Sequence, residues 1–413
     1  MVLFFDMDEL RQFIEEHKND DVRALALQAG KYGGFDFQFA LRQIAGWQIA
    51  RRKLPSWAAT EGLVYPPHLS MEQCSSELTA KYKAALCSGD SLTDLTGGFG
   101  IDCAFMSVNF QSSCYVERNE DLCKIAEHNF KMLQLPNVSV NCAEAADFLA
   151  NMPRADVVYL DPARRDKNGK KTVSIGDCEP DVTKLKDLLL SKAGEVWVKF
   201  SPMLDLNLAL KDIPEVSEAH VVSVNNECKE LLLKIARDGM RGDVKIVCAN
   251  LKKAGYRLHH IAYIHGKSVL WGQGRFCFCM SDEESAASQY ADRPYVFIYE
   301  PNVAILKGGL YKSVSEKFGV KKLHQNSHLY TSEELVEEFP GRKFRVLSVF
   351  SMNKKELKRE LADVSKANVS IRNFPLSAEE LRKRLKLKEG GDIYIFATTL
   401  RNGDKVLVKC VKC

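Results

Sequence analysis

No apolar run in the sequence approaches the roughly 18 residues that a membrane-spanning helix needs. The first residues turn acidic at Asp6 after Met1 and four further apolar positions, unlike the basic start of a signal peptide. The 13 cysteines are odd in number, scattered, and without the spacing of a secreted disulfide framework. Cys277-Phe-Cys279 and Cys410-Val-Lys-Cys413 lack a second pair or a histidine partner at zinc spacing, so they read as strand and tail residues and no metal is expected. Net charge is also small, at +4. These absences argue against a membrane protein and a disulfide scaffold, and they point to a soluble chain of the reducing cytoplasm.

What is present is apolar content and uneven charge. With 413 residues and 46% hydrophobic content, the chain can bury two or three cores at about 150 residues per domain. Residues 341–413 hold 18 Lys+Arg against 8 Asp+Glu, a surplus of +10, which leaves −6 on the other 340. Such asymmetry suits a polyanion at the C-terminal end. For Leu381-Arg-Lys-Arg-Leu-Lys-Leu-Lys388, taken alone, a solvated helix face is an equal reading.

The organising stretch is Ser91-Leu-Thr-Asp94-Leu-Thr96-Gly-Gly98-Phe-Gly100-Ile-Asp102. An apolar strand closes on Asp94, glycines turn the chain, and a helix starts near Ile101. Glycine has no Cβ, so the backbone can turn tightly and approach a ligand. A dinucleotide fingerprint needs a third small residue after G-x-G, and Cys103 stands there. A turn of this kind is also an ordinary loop, so its neighbours must decide. Strand-like segments follow that end at or near Glu117, Glu144, Asp161-Pro162-Ala-Arg164 and Lys199-Phe-Ser-Pro202. A single acid at a strand end means little; four in series mean more. The carboxylate of Glu117 can grip both hydroxyls of a ribose.

The spacing D-x-x-x-G-x-G resembles motif I of class I S-adenosylmethionine (SAM) methyltransferases. That resemblance implies SAM as cofactor, with Asp94, Thr96, Gly98 and Gly100 at its methionine part, Glu117 at the ribose, Glu144 at the adenine edge and Asp161 facing the methyl group. It also implies a seven-stranded α/β, Rossmann-like sheet with an antiparallel edge strand, supplied at its end by 219–235 and 244–250. Gln73 and Ser76, before the first strand, resemble the element that reaches over the cofactor in the trimethylguanosine synthase group; plain helix capping is the competing reading. Asn225-Asn-Glu-Cys-Lys-Glu-Leu-Leu-Leu and Lys366-Ala-Asn-Val-Ser-Ile-Arg-Asn-Phe-Pro375 are similar to phrases of a bacterial methyltransferase group that carries a ferredoxin-like piece and a C-terminal THUMP-like domain. THUMP domains bind structured RNA, so the likeness implies a tRNA or rRNA substrate.

The expected organisation is a helical region at 1–68, a methyltransferase domain at 69–250, a ferredoxin-like α+β domain at 251–328 and a THUMP-like domain at 329–413. Helices are expected within 7–50, with a turn at Gly30–Gly34, and over 69–83, 179–193, 310–318, 353–364 and 377–387. Lys53-Leu-Pro through Tyr65-Pro-Pro67 cannot be regular helix, because proline removes a donor and restricts its neighbour. Five basic residues from Arg164 to Lys171 form a loop where a phosphate backbone could lie.

Asp161-Pro-Ala-Arg164 is also similar to motif IV of the uracil-C5 RNA methyltransferases, which need a cysteine nucleophile after the next strand. Lys199-Phe-Ser-Pro202 has none, so direct in-line transfer is expected, with Asp161, Pro162, Arg164 and Lys199 as the catalytic set. A base would have to leave its stack to reach them. Two rivals remain open: a non-catalytic RNA-binding factor with a SAM pocket, and a methyltransferase for a protein or small molecule.

Overall fold

The computed structural model describes residues 7–164, 175–236, 243–252 and 275–413, with only the main chain of Met7, Arg164 and Arg275. The chain divides into two compact units, Met1–Ser217 with Leu231–Arg241, and Glu218–Glu230 with Gly242–Cys413.

The first unit opens with α1 (Met7–His17), α2 (Val22–Ala26) and α3 (Phe37–Lys53). Asp21 and Asp36 cap the second and third by accepting from backbone N–H groups. Leu10, Phe13, Leu25, Ala40, Leu41 and Ile44 close a small core between them. The chain turns at Ala29–Lys31, where the glycine-rich interruption was expected. After α4 (Pro55–Ala58), which starts on a proline, the connector buries Trp57 and Tyr65. Both rings pack on Phe99, with centroids 5.1 and 6.4 Å apart. The N-terminal helices are thereby joined to the glycine turn itself.

One helix was expected over 69–83, but two are found, α5 (His68–Gln73) and α6 (Glu77–Ala84). Cys74 is extended, and Ser76 caps α6 by accepting from Thr79 N at 3.3 Å. A cap requires non-helical backbone before it, so a serine here ends one helix and starts another.

Four parallel pairings follow among β1 (Gly89–Asp94), β2 (Phe110–Glu117), β3 (Val138–Cys142), β4 (Ala155–Leu160) and β5 (Ala193–Phe200). Between and after them run α7 (Ile101–Ser107), α8 (Glu120–Met132), α9 (Ala145–Asn151), α10 (Val182–Lys192) and α11 (Leu206–Asp212). The expected helix at 179 starts later, because Cys178–Glu179 pairs with Ala163–Arg164 and Asp181 caps α10. A hairpin comes next, β6 (Val216–Val224) and β7 (Glu227–Ile235), turned by Asn225 and Asn226 at φ +50° and +64°. Within this unit the strand order is β3-β2-β1-β4-β5-β7, with β7 antiparallel to β5. That is the expected α/β arrangement with its antiparallel strand. Parallel strands bring all their carboxyl ends to one edge, where such sheets hold ligands.

In the second unit β6 pairs in parallel with β8 (Lys245–Leu251), which pairs antiparallel with β9 (Arg275–Cys279). A second sheet comprises β10 (Phe297–Pro301), β11 (Lys321–Lys322), β12 (Tyr330–Ser332), β13 (Gly341–Phe350), β14 (Asn368–Arg372), β15 (Ile393–Thr399) and β16 (Lys405–Lys412). Its order is β11-β12-β10-β13-β16-β15-β14. The helix expected at 310–318 is preceded by another, giving α13 (Val303–Gly308) and α14 (Tyr311–Lys317) after α12 (Met280–Ser285). Later come α15 (Lys354–Glu360) and α16 (Ala378–Leu385), the latter capped by Ser377 with Glu380 in a reciprocal box. Among the described residues no helix is long and apolar enough to cross a membrane.

Candidate active site

The glycine turn is tied down on both flanks. Gly98 N donates to Glu117 Oε2 at 3.0 Å, and Asp161 N donates to Thr96 Oγ1 at 2.5 Å. Thr96 N in turn donates to Asp94 Oδ1 at 3.0 Å. Backbone and side chain thus bring Asp94, Thr96, Gly98, Glu117 and Asp161 together at the strand ends. The glycines are required for different reasons. A Cβ on Gly97 would lie 2.1 Å from the Tyr115 ring, so that position is closed by packing. Gly98, at φ +54°, has only Thr96 O at 3.9 Å beside its missing Cβ, so this side of the turn has room for a ligand. Gly100, at φ +84°, stands immediately before α7.

Asp94 is 2% exposed, with Thr96 N as its hydrogen-bond donor. Burial raises its carboxyl well above the usual range, and the charges of Asp102, Asp161 and Glu117 push the same way. An acid so placed is suited to an incoming cation, and SAM carries both an ammonium and a sulfonium. The residues present therefore fit that cofactor.

Glu144 stands apart from this group. It occupies the position ahead of α9 without capping it, is half exposed, and lies 3.9 Å from Arg118 Nη1. Gln73 is exposed at the end of α5, and Ser76 caps α6. Pro162 is buried directly after Asp161. The Arg164 side chain and the basic residues up to 171 lie outside the described residues.

Lys199, at the end of β5, forms an ion pair with Asp161 Oδ2. Its ammonium is also 4.0 Å from Asp102 Oδ2. Asp102 was not singled out from the sequence, nor were Lys83 and Tyr159 beside it. Its Oδ2 accepts from Tyr159 OH at 2.7 Å and Ser75 Oγ at 2.8 Å, and Oδ1 is 3.2 Å from Lys83 Nζ. Burial alone would raise this carboxyl, but Lys83, Lys199 and the two hydroxyl donors outweigh it and hold it below the usual range. A buried lysine and a buried aspartate 19 residues apart carry no short-range signature; only Asp102's place in the first turn after the glycines gave a hint.

Cys74 adjoins this cluster. Burial pushes its thiol up, against the opposing charges of Lys53 and Lys199. That does not make it an activated nucleophile, since attack requires thiolate.

Residues 297–340 match a ferredoxin-like domain family, and residues 341–412 match a THUMP domain-like family. The crystal structure of a candidate methyltransferase from Porphyromonas gingivalis is 33% identical, with 99% of each chain covered and a TM-score of 0.83. A Streptococcus mutans candidate methyltransferase in complex with SAH is 11% identical over 38% of this chain and 96% of that one, with a TM-score of 0.29. A Pyrococcus horikoshii candidate RNA methyltransferase is 12% identical over 45% and 96%, with a TM-score of 0.32. At such scores the last two say nothing about chemistry here. No curated protein matches the sequence.

Proposed function

The chain belongs to the methyltransferase-like family of the Porphyromonas gingivalis protein, with ferredoxin-like and THUMP-like domains at its C-terminal end, and we propose that it is a SAM-dependent enzyme methylating a base in structured RNA, tRNA or rRNA, by direct in-line transfer. In this reading residues 69–250 carry the chemistry, 251–328 and 329–413 position the RNA, and 1–68 brace the glycine turn. The cytoplasm is the compartment, in keeping with thirteen cysteines that are all free thiols.

The observation that carries the proposal is the Asp161–Lys199 pair beside a glycine turn tied to Glu117 and Asp161. Asp94, Thr96, Gly98 and Gly100 would hold the methionine part of SAM, Glu117 the ribose and Glu144 the adenine edge, with Gln73 and Ser76 on the covering side. The bound cofactor supplies an electrophilic methyl group. The protein's own work is positioning, which can provide most of the acceleration when the reacting atoms are held in line. Lys199 occupies Asp161 Oδ2, which leaves Oδ1 to accept a hydrogen bond from an exocyclic amine. Buried Pro162 fixes the chain at that point, and Lys199 limits the charge that Asp161 presents. Arg164 and the basic residues to 171 would hold the base or its phosphates.

Incubation of wild type and Asp161→Ala with labelled SAM and total cellular RNA tests this. Methyl transfer should fall by about 10²–10³-fold in the variant, the range for losing one aligned polar group at a reacting centre. Equal transfer by both proteins would remove Asp161 from the mechanism. Nucleoside mass spectrometry of RNA from cells lacking the protein should then show one missing methylated nucleoside. If SAM binds but no RNA accepts a methyl group, the chain is an RNA-binding factor or acts on another substrate.

A further inference from the structure

We infer that Asp102 is a positioning residue for methyl transfer, sharing the Lys199 ammonium with Asp161 so that Asp161 keeps an oxygen for the substrate. This rests on the methyltransferase reading of the same site. Asp102 is itself immobilised: Tyr159 and Ser75 donate to Oδ2 at 2.7 and 2.8 Å, Lys83 faces Oδ1 at 3.2 Å, and Lys83 Nζ also donates to Ser75 Oγ at 3.0 Å. Four separate elements, the 74–76 break, α6, α7 and β4, therefore fix one carboxylate. That carboxylate stands 4.0 Å from Lys199, on a second side of the ammonium that pairs with Asp161.

In a site this buried, two carboxylates dividing one ammonium are coupled through it. Were Asp102 uncharged, more of the pull of Lys199 would fall on Asp161. Asp161 would be held more tightly, and an amine donor would compete less well for it. Ser75 adds a structural consequence, because the segment just before the first strand of the sheet is hydrogen-bonded to the same carboxylate. Other titratable groups facing the cluster are Asp94 on β1, Glu117 on β2, Cys74 and Cys103. All of them are unchanged in the variants below.

The test uses three full-length proteins: wild type, Asp102→Asn, and Asp102→Asn with Lys83→Met, which removes one buried cation together with the anion. In Asp102→Asn, kcat should fall about tenfold to a hundredfold with little change in KM for RNA, the size expected from misplacing a reacting group. The acid limb of the pH–rate profile should move to lower pH. The double variant should recover part of kcat and return the limb toward its original position. A substrate-free readout accompanies this: the carbon NMR resonance of the Asp161 carboxyl at neutral pH should move in Asp102→Asn and return toward its wild-type position in the double variant. An unmoved Asp161 carboxyl resonance in folded Asp102→Asn protein overturns the inference, whether or not RNA is methylated. Wild-type protein that binds SAM and transfers no methyl group overturns the methyltransferase reading instead, and leaves the NMR result to decide the coupling.

Discussion

In the first unit, buried charge gathers at the carboxyl ends of the parallel strands, where Asp94, Asp102, Lys83 and Lys199 are each no more than 9% exposed. In the second unit Glu300 on β10 is as buried as Asp94, at 2%, and it is paired on both oxygens. Arg342 Nε donates to its Oε2 at 2.6 Å, and Arg372 pairs with Oε1. The two arrangements differ in what is left over. Glu300 has two guanidiniums for one carboxylate, all supplied by strands of one sheet. Asp94 has one backbone donor and three carboxylates pressing on it. A buried acid that is fully paired is structure, joining the ferredoxin-like segment to the THUMP-like one. A buried acid short of cations marks a place for a ligand.

The largest effect that could break this contrast concerns Glu300. Replacing it with Gln leaves Arg342 and Arg372 facing each other without the anion. Losing one partner of a buried pair costs about 3–5 kcal/mol. Because both arginines are more than a third exposed, solvent screens them, and about 2–3 kcal/mol is expected here. Urea unfolding should show a lower midpoint, while SAM affinity is retained. A midpoint equal to wild type would mean that the staple is ornamental.

Asp94 offers the opposite outcome. Its folded-state pKa is raised, so the folded protein holds this proton more tightly than the unfolded chain does. The stability linked to it is fully present below the unfolded value of 3.8 and is lost as pH rises toward the folded one. At neutral pH the ligand-free protein therefore bears a cost, and Asp94→Asn should raise its stability by about 1–2 kcal/mol, as relief of a site strained for function commonly does. SAM binding followed by calorimetry should weaken in the same variant. A variant that is less stable than wild type at pH 7 would place Asp94 with Glu300, as a structural acid.

The contrast also explains what could be read before any coordinates. The acid–glycine turn was legible because its requirements are local: a strand end, an acid, glycines at positive φ and a helix start all fall within Asp94–Ile101. Glu117 and Asp161 followed from the same logic, repeated strand by strand. Asp102 and Lys83 were not legible. Lys83 was only the last residue of the helix expected over 69–83, and its partner is 19 residues away in sequence, with Lys199 a further 97 beyond Asp102. Pairing over such distances is decided by strand order, which no spacing rule conveys. The break at Cys74 was hidden for a related reason. Ser76 was visible as a capping residue, but its neighbour Ser75 is claimed by Asp102, which the sequence does not show. In the C-terminal part the helices near 353–364 and 377–387 were readable, whereas the pairing of Arg342 and Arg372 on Glu300 was not.

The smallest expected effect sharpens the comparison, because the second unit has a titratable group that burial keeps neutral. His328 stacks on Tyr311 with ring centroids 3.7 Å apart. Burial pushes its imidazole down to about 4, helped by the charges of Lys322 and Arg372. Here the folded state binds the proton less readily than the unfolded chain. Stability is therefore complete above the ordinary value of 6.5 and is lost as pH falls from there toward 4. His328→Phe keeps a ring for Tyr311 and removes the titration. Between pH 6.5 and 4 the urea midpoint of wild type should fall more steeply than that of the variant, and amide exchange in β12 should accelerate in wild type alone. Carboxylates shared by both proteins titrate equally, so the difference between the two curves isolates the histidine. If the curves run parallel, the acid sensitivity of this unit comes from its ion pairs, Glu300 first among them, and the neutral ring is a packing element only.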